Sequence, residues 1–107
     1  MKKQKFLYLS TTGHRSGNSH EIEIWYVEHD GCFYIVSEKR EAAHWVRNIR
    51  ADPNVRFHLG EDWDADASAA EGTASVPEDA SLIAAVKAKM DDKYGWSDGL
   101  VVAVCGK

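Results

Sequence analysis

Between two runs that read as β-strands the chain carries Thr11-Thr12-Gly13-His14-Arg15-Ser16-Gly17, two glycines four apart enclosing a cation and a hydroxyl. Glycine allows φ > 0, so a loop of this kind can turn successive amides toward one anionic oxygen. The hydroxyls of Thr11, Thr12 and Ser16 and the planar donor fork of Arg15 add side-chain partners for a phosphate. The same residue types also build an ordinary polar hairpin turn. A cation placed between two loop glycines serves a ligand better than it serves folding, which makes Arg15 the leading candidate.

No Ser-His-Asp or Cys-His set is evident. The five histidines, His14, His20, His29, His44 and His58, show no metal-ligand spacing with Cys32 and Cys105, so no metal site is expected. The two cysteines lie in apolar, strand-like runs and read as small core residues of a reducing compartment, with a disulfide between them left open.

Charge is unevenly spread. The chain of 107 residues has a formal net charge of -4, which argues against general nucleic-acid binding. Residues 1–60 hold nine Lys or Arg against seven Asp or Glu, whereas residues 61–107 hold four against ten. The first twenty residues contain four cations and no carboxylate. An anionic ligand finds its partners in the amino-terminal half.

The elements that position these groups follow from pattern. Lys5–Ser10 is a short apolar strand leading into the glycine loop. Glu21–Glu28 alternates, with Ile22, Ile24 and Tyr26 on one face and Glu21, Glu23 and Trp25 on the other. An Asp30-Gly31 turn joins it to Cys32–Ser37 as a hairpin. Ala42–Ala51 reads as a helix with Val46 and Ile49 buried, stopped by Asp52-Pro53. Trp45 and Asn48, three apart, share a face, and Arg47 and Arg50 share another. Asn54–Gly60 alternates strictly, with Val55, Phe57 and Leu59 inward. Asp62–Ala65 starts a strand or a loop, and Ala70–Val76 is a further strand. Ser75 or Asp79 caps a second helix ending near Lys93, with Leu82, Ile83, Val86 and Met90 at helical spacing. Tyr94–Gly99 is an aromatic loop, and Leu100–Cys105 is a central strand.

Six or so strands joined mainly by hairpins, with two short helices, predict a mainly β fold: one small antiparallel barrel domain over residues 1–107. No apolar run is long enough for a membrane span, no signal peptide is expected, and the default location is cytoplasmic.

Two segments together resemble a known family. Leu9 through Gly17 with the strand Glu21–Val27 is similar to the opening of the deazaflavin-dependent nitroreductase and quinone reductase family, within the FMN-binding split β-barrel superfamily. Trp45 through Val55 resembles its short helix, with an asparagine three residues after a tryptophan and an Asp-Pro exit into a strand. The resemblance implies a deazaflavin of the coenzyme F-420 type, or FMN, lying along a split barrel. By position, Thr12, Gly13, Arg15, Ser16, Gly17 and His20 belong to the tail-binding loop, although His20 stands where relatives often carry arginine. Trp45 and Asn48 match the helix positions beside the cofactor, and Tyr94 and Trp96 those of substrate-contacting aromatics. Lys39, Arg40, Arg47 and Arg50 are available for a carboxylate-bearing tail, or are a solvated face. The implied activity is hydride transfer to a small electron-poor acceptor (quinone, nitroaromatic or enone), and a homodimer is implied as well. A non-catalytic binder of a flavin, haem or other planar ligand is the alternative, and a member that binds nothing is a third.

Overall fold

Residues 19–29 run as almost continuous strand, yet they serve two different edges of the sheet. The computed structural model describes residues 6–12, 19–39, 42–60 and 70–106, with only the backbone of Ser19 and His20 included. Its strands are β1 (Phe6–Thr12), β2 (Ser19–Ile24), β3 (Tyr26–His29), β4 (Cys32–Ser37), β5 (Asn54–Gly60), β6 (Ala70–Ser75) and β7 (Leu100–Gly106). Two helices interrupt them, α1 (His44–Ala51) and α2 (Ala80–Tyr94). The sheet order is β2-β1-β5-β6-β7-β4-β3, with every pairing antiparallel. The outermost strands, β2 and β3, are consecutive in the chain and separated by Trp25 alone. The sheet therefore curls into a nearly closed seven-stranded barrel, as the sequence pattern predicts.

The single strand expected over Glu21–Glu28 is thus two. Its first half pairs with β1, Ile22 opposite Leu9, and its second half pairs with β4, Tyr26 opposite Ile35. Only β3 belongs to the expected hairpin. The turn there has Asp30 at φ 48° and Gly31 at φ 82°, the pair of left-handed residues that a two-residue hairpin needs.

Alternation along the buried strands divides the apolar residues between two cores. Ile35, Val102 and Val104 face the barrel interior with Leu7, Leu9 and Phe57, beneath Val46 and Ile49 of α1. Tyr34, Val36, Val101 and Ala103 face outward and are covered by Val86 and Met90 of α2. Because both faces of β7 are buried, its sequence reads as an unbroken apolar run. Leu59 departs from the inward expectation: it pairs with Leu7 near the end of β5 and is 37% exposed.

The helices begin and end where local chemistry dictates. Asp79, rather than Ser75, caps α2, its Oδ1 accepting from Ser81 N–H at 2.9 Å and Leu82 N–H at 3.3 Å. Gly95 closes α2 in the left-handed region at φ 70°. Asp52 ends α1, and its carboxylate accepts from the backbone N–H of Asn54 at 3.1 Å. The strand or loop expected over Asp62–Ala65 lies outside the described residues. No helix among them is long and apolar enough to cross a membrane.

Cys32 and Cys105 are joined as a disulfide between the neighbouring strands β4 and β7, with Cα atoms 4.5 Å apart. The pairing that the sequence leaves open is thus formed, and the two cysteines are not merely small core residues. Residues isolated in sequence come face to face because the register that sets Phe33 opposite Val104 brings their neighbours into reach. The bond spans 73 residues, so reducing it should lower the unfolding free energy by up to about 4 kcal/mol on the chain-entropy estimate. Urea unfolding with and without dithiothreitol measures the difference; coincident curves would show that the bond contributes nothing.

Candidate functional site

The split between β2 and β3 opens beside a groove of about 920 Å³. Glu21 through Trp25 form one wall. The end of β4 and the segment after it supply Ser37, Glu38 and Lys39. From α1 come His44, Trp45 and Asn48, and Phe6 of β1, Met90 of α2 and Trp96 add to the lining. The walls are mostly apolar and aromatic, with carboxylates at Glu21, Glu23 and Glu38 and basic side chains at Lys39 and His44.

A buried polar contact joins the helix α1 to β1. Asn48 is 2% exposed and its Nδ2 donates to Thr11 Oγ1 at 3.0 Å. Packing gives no reason for an asparagine between Val46 and Ile49, whereas a short amide here joins the helix to the last residues of β1. Trp45 is half-buried against the barrel core while also bordering the groove. One face of α1 therefore serves both packing and cavity.

The residues singled out in sequence fall into three groups. Trp45, Asn48 and Trp96 come together around the groove. Thr12 is half-buried at the end of β1, opposite Ser19, and the backbone of His20 pairs with Thr11. Gly13, Arg15, Ser16 and Gly17 lie outside the described residues, as does Arg40. Tyr94 stands one layer back: its ring stacks on Trp25 with centroids 4.5 Å apart and planes 2° from parallel. The Tyr94 hydroxyl donates to the carbonyl of Tyr26 at 2.9 Å and accepts from the Tyr26 N–H at 3.3 Å.

Sequence reading missed Trp25 as a groove residue, along with Phe6, Ser37 and Met90. A signal existed for Trp25. The alternation of Ile22 and Ile24 with glutamates gives way to four consecutive apolar residues, Ile24-Trp25-Tyr26-Val27, at the place where the strand changes its partner.

The family model described as F420H(2)-dependent quinone reductase matches residues 1–106. No curated protein matches the chain. Among solved structures, the haem-storage protein HutZ of Vibrio cholerae is similar at TM-score 0.77 and 19% identity, over 99% of this chain and 83% of that one. An F420 reductase is similar at TM-score 0.65 and 17% identity, over 98% and 89%. A haem-binding protein of Mycobacterium smegmatis gives TM-score 0.69 and 19% identity, over 98% of this chain and 47% of that one. At these identities the structural likenesses establish the barrel fold alone.

Replacing Asn48 by leucine should cost about 1–3 kcal/mol, because the hydroxyl of Thr11 is buried and loses its donor. In the double variant Asn48→Leu, Thr11→Val the loss should be smaller than the sum of the two single losses. Chemical denaturation of the four proteins makes the comparison, and strict additivity would mean that the contact carries no energy.

Proposed function

The chain belongs to the F420H(2)-dependent quinone reductase family, and from that premise we propose that it is a deazaflavin-dependent reductase passing hydride to an electron-poor small acceptor. Quinones, nitroaromatics and conjugated enones are the acceptor classes. The observation that carries this reading is the groove, whose volume of about 920 Å³ suits a planar tricycle with a second ring beside it.

The chain's residues fit such a group. Trp45 offers a flat apolar surface and Asn48 an amide at the same wall, while Ile22 and Ile24 supply the opposing apolar side. In this proposal Thr12, Gly13, Arg15, Ser16, Gly17 and His20 take the phosphate-bearing tail, with Lys39 near enough to the groove to help balance its carboxylates. When bound, a reduced deazaflavin supplies a hydride at its central ring carbon. The protein's part is to hold the acceptor ring parallel and close, and to exclude water from the gap between them. Trp96 forms part of the acceptor wall, and Tyr94 acts through Trp25. A cytoplasmic setting belongs to this proposal. So does a homodimer, which light scattering checks directly.

FMN carries the same kind of phosphate and is the competing ligand, and haem is the ligand of the non-catalytic alternative. Purified protein titrated separately with the deazaflavin, FMN and haemin, followed by fluorescence quenching and absorbance, separates them. The deazaflavin should bind, and Arg15→Ala should weaken it about tenfold through loss of a charge-assisted contact. Binding of haem with a Soret band but of neither flavin would favour the storage reading. If no cofactor binds and Arg15→Ala changes nothing, the assignment fails.

A further inference from the structure

Folding alone leaves the position of Trp25 unexplained. It is 37% exposed, and among the described residues it and Leu59 are the large apolar side chains that count as exposed rather than half-buried. Its indole is nevertheless fixed. Tyr94 covers one ring face in a parallel stack, and the Tyr94 hydroxyl is bonded to both the carbonyl and the N–H of Tyr26. Lys93 reinforces the arrangement: its Nζ donates to the Tyr26 carbonyl at 3.1 Å and lies 4.4 Å from the Tyr26 ring centroid and 5.0 Å from that of Tyr94. Trp25 also lines the groove, which Tyr94 does not.

We propose that Trp25 is the stacking platform for the electron-poor planar acceptor. The identity of that acceptor as a quinone or nitroaromatic rests on the reductase reading above; the platform itself rests on the geometry. Indole is the most electron-rich side-chain ring, and a ring depleted by carbonyl or nitro groups is its natural partner in an offset stack. Backing by Tyr94 means that little side-chain freedom remains to be lost on binding, so the contact is pre-organised. Tyr94 cannot take this role itself, because one face of its ring is occupied by Trp25 and Lys93 lies over it as well. Trp45 is committed by its packing to the barrel core, on the α1 side of the groove. The groove thus has two distinct aromatic stations, Trp45 beside Asn48 and Trp25 on the β2 wall.

The test uses cofactor-free protein and menadione as the probe. In protein carrying isotopically labelled tryptophan, the indole N–H signal of Trp25 is identified by its loss in Trp25→Phe. On addition of menadione this signal should move more than those of the other three tryptophans. Trp25→Leu should weaken menadione about tenfold and Trp25→Phe about threefold, while the deazaflavin affinity changes less than about twofold. A stationary Trp25 signal, or unchanged menadione affinity in Trp25→Leu, overturns the proposal. The wild-type titration decides alone should the leucine variant fail to fold. Menadione binding at Trp25 without any deazaflavin binding would leave the platform standing and remove the reductase reading.

Discussion

Everything in this structure follows from a strand that changes partners in mid-course. When the chain passes from β2 to β3 at Trp25, it leaves β1 and joins β4, and the sheet curls because its two outermost strands are one segment. The exchange creates a problem, since the backbone groups of β3 that turn away from β4 have no neighbouring strand. Buried or half-buried amides and carbonyls need partners. Here α2 provides them: Tyr94 serves both polar groups of Tyr26, Lys93 serves its carbonyl, and Lys89 Nζ donates to the carbonyl of Glu28 at 3.0 Å. Side chains of one helix thus occupy the place of a missing strand, which also protects the edge from pairing with foreign chains.

That substitution fixes α2 in register, and the groove inherits its precision. Met90 is buried beneath the helix and also borders the cavity, and Trp96 follows directly after the Gly95 stop. On the other side, α1 is pinned to β1 through Asn48 and Thr11. The cavity exists because the barrel is incompletely sealed, and its walls are rigid because each helix is tied to a different part of the sheet. For the reaction proposed, a site built this way has the positioning of two flat rings to supply, and that calls for rigid walls more than for a dedicated side chain.

Much of this was legible in the residues. The alternation that turns Val55 and Phe57 inward, the Asp-Pro stop after α1, and the apolar run of Leu100–Cys105 each identify their element because local pattern and tertiary environment agree. The two motifs around Gly13 and Trp45 identified the deazaflavin family, to which the family match over residues 1–106 assigns the chain. Long-range facts were less accessible. The break at Trp25 depends on two sheet edges meeting, and no local periodicity encodes that meeting beyond four consecutive apolar residues. The pairing of Cys32 with Cys105 depends on β4 lying beside β7, strands 73 residues apart at those positions. Asn48 was singled out by its spacing from Trp45, yet its bond to Thr11 required knowing that α1 lies across β1.

The place of β7 in the strand order has a consequence for assembly. It lies between β6 and β4, and both contacts reach back along the chain. Without β7 the strand order falls into two pieces, β2-β1-β5-β6 and β4-β3, each with an unpaired hydrogen-bonding margin. Loop closure over such distances is entropically slow, and an unpaired margin of this kind is a template for association with other copies. Insertion of this one segment joins the halves, buries both apolar faces of the segment and brings the cysteine sulfurs together, so the bond between them records a step that only a finished barrel can take.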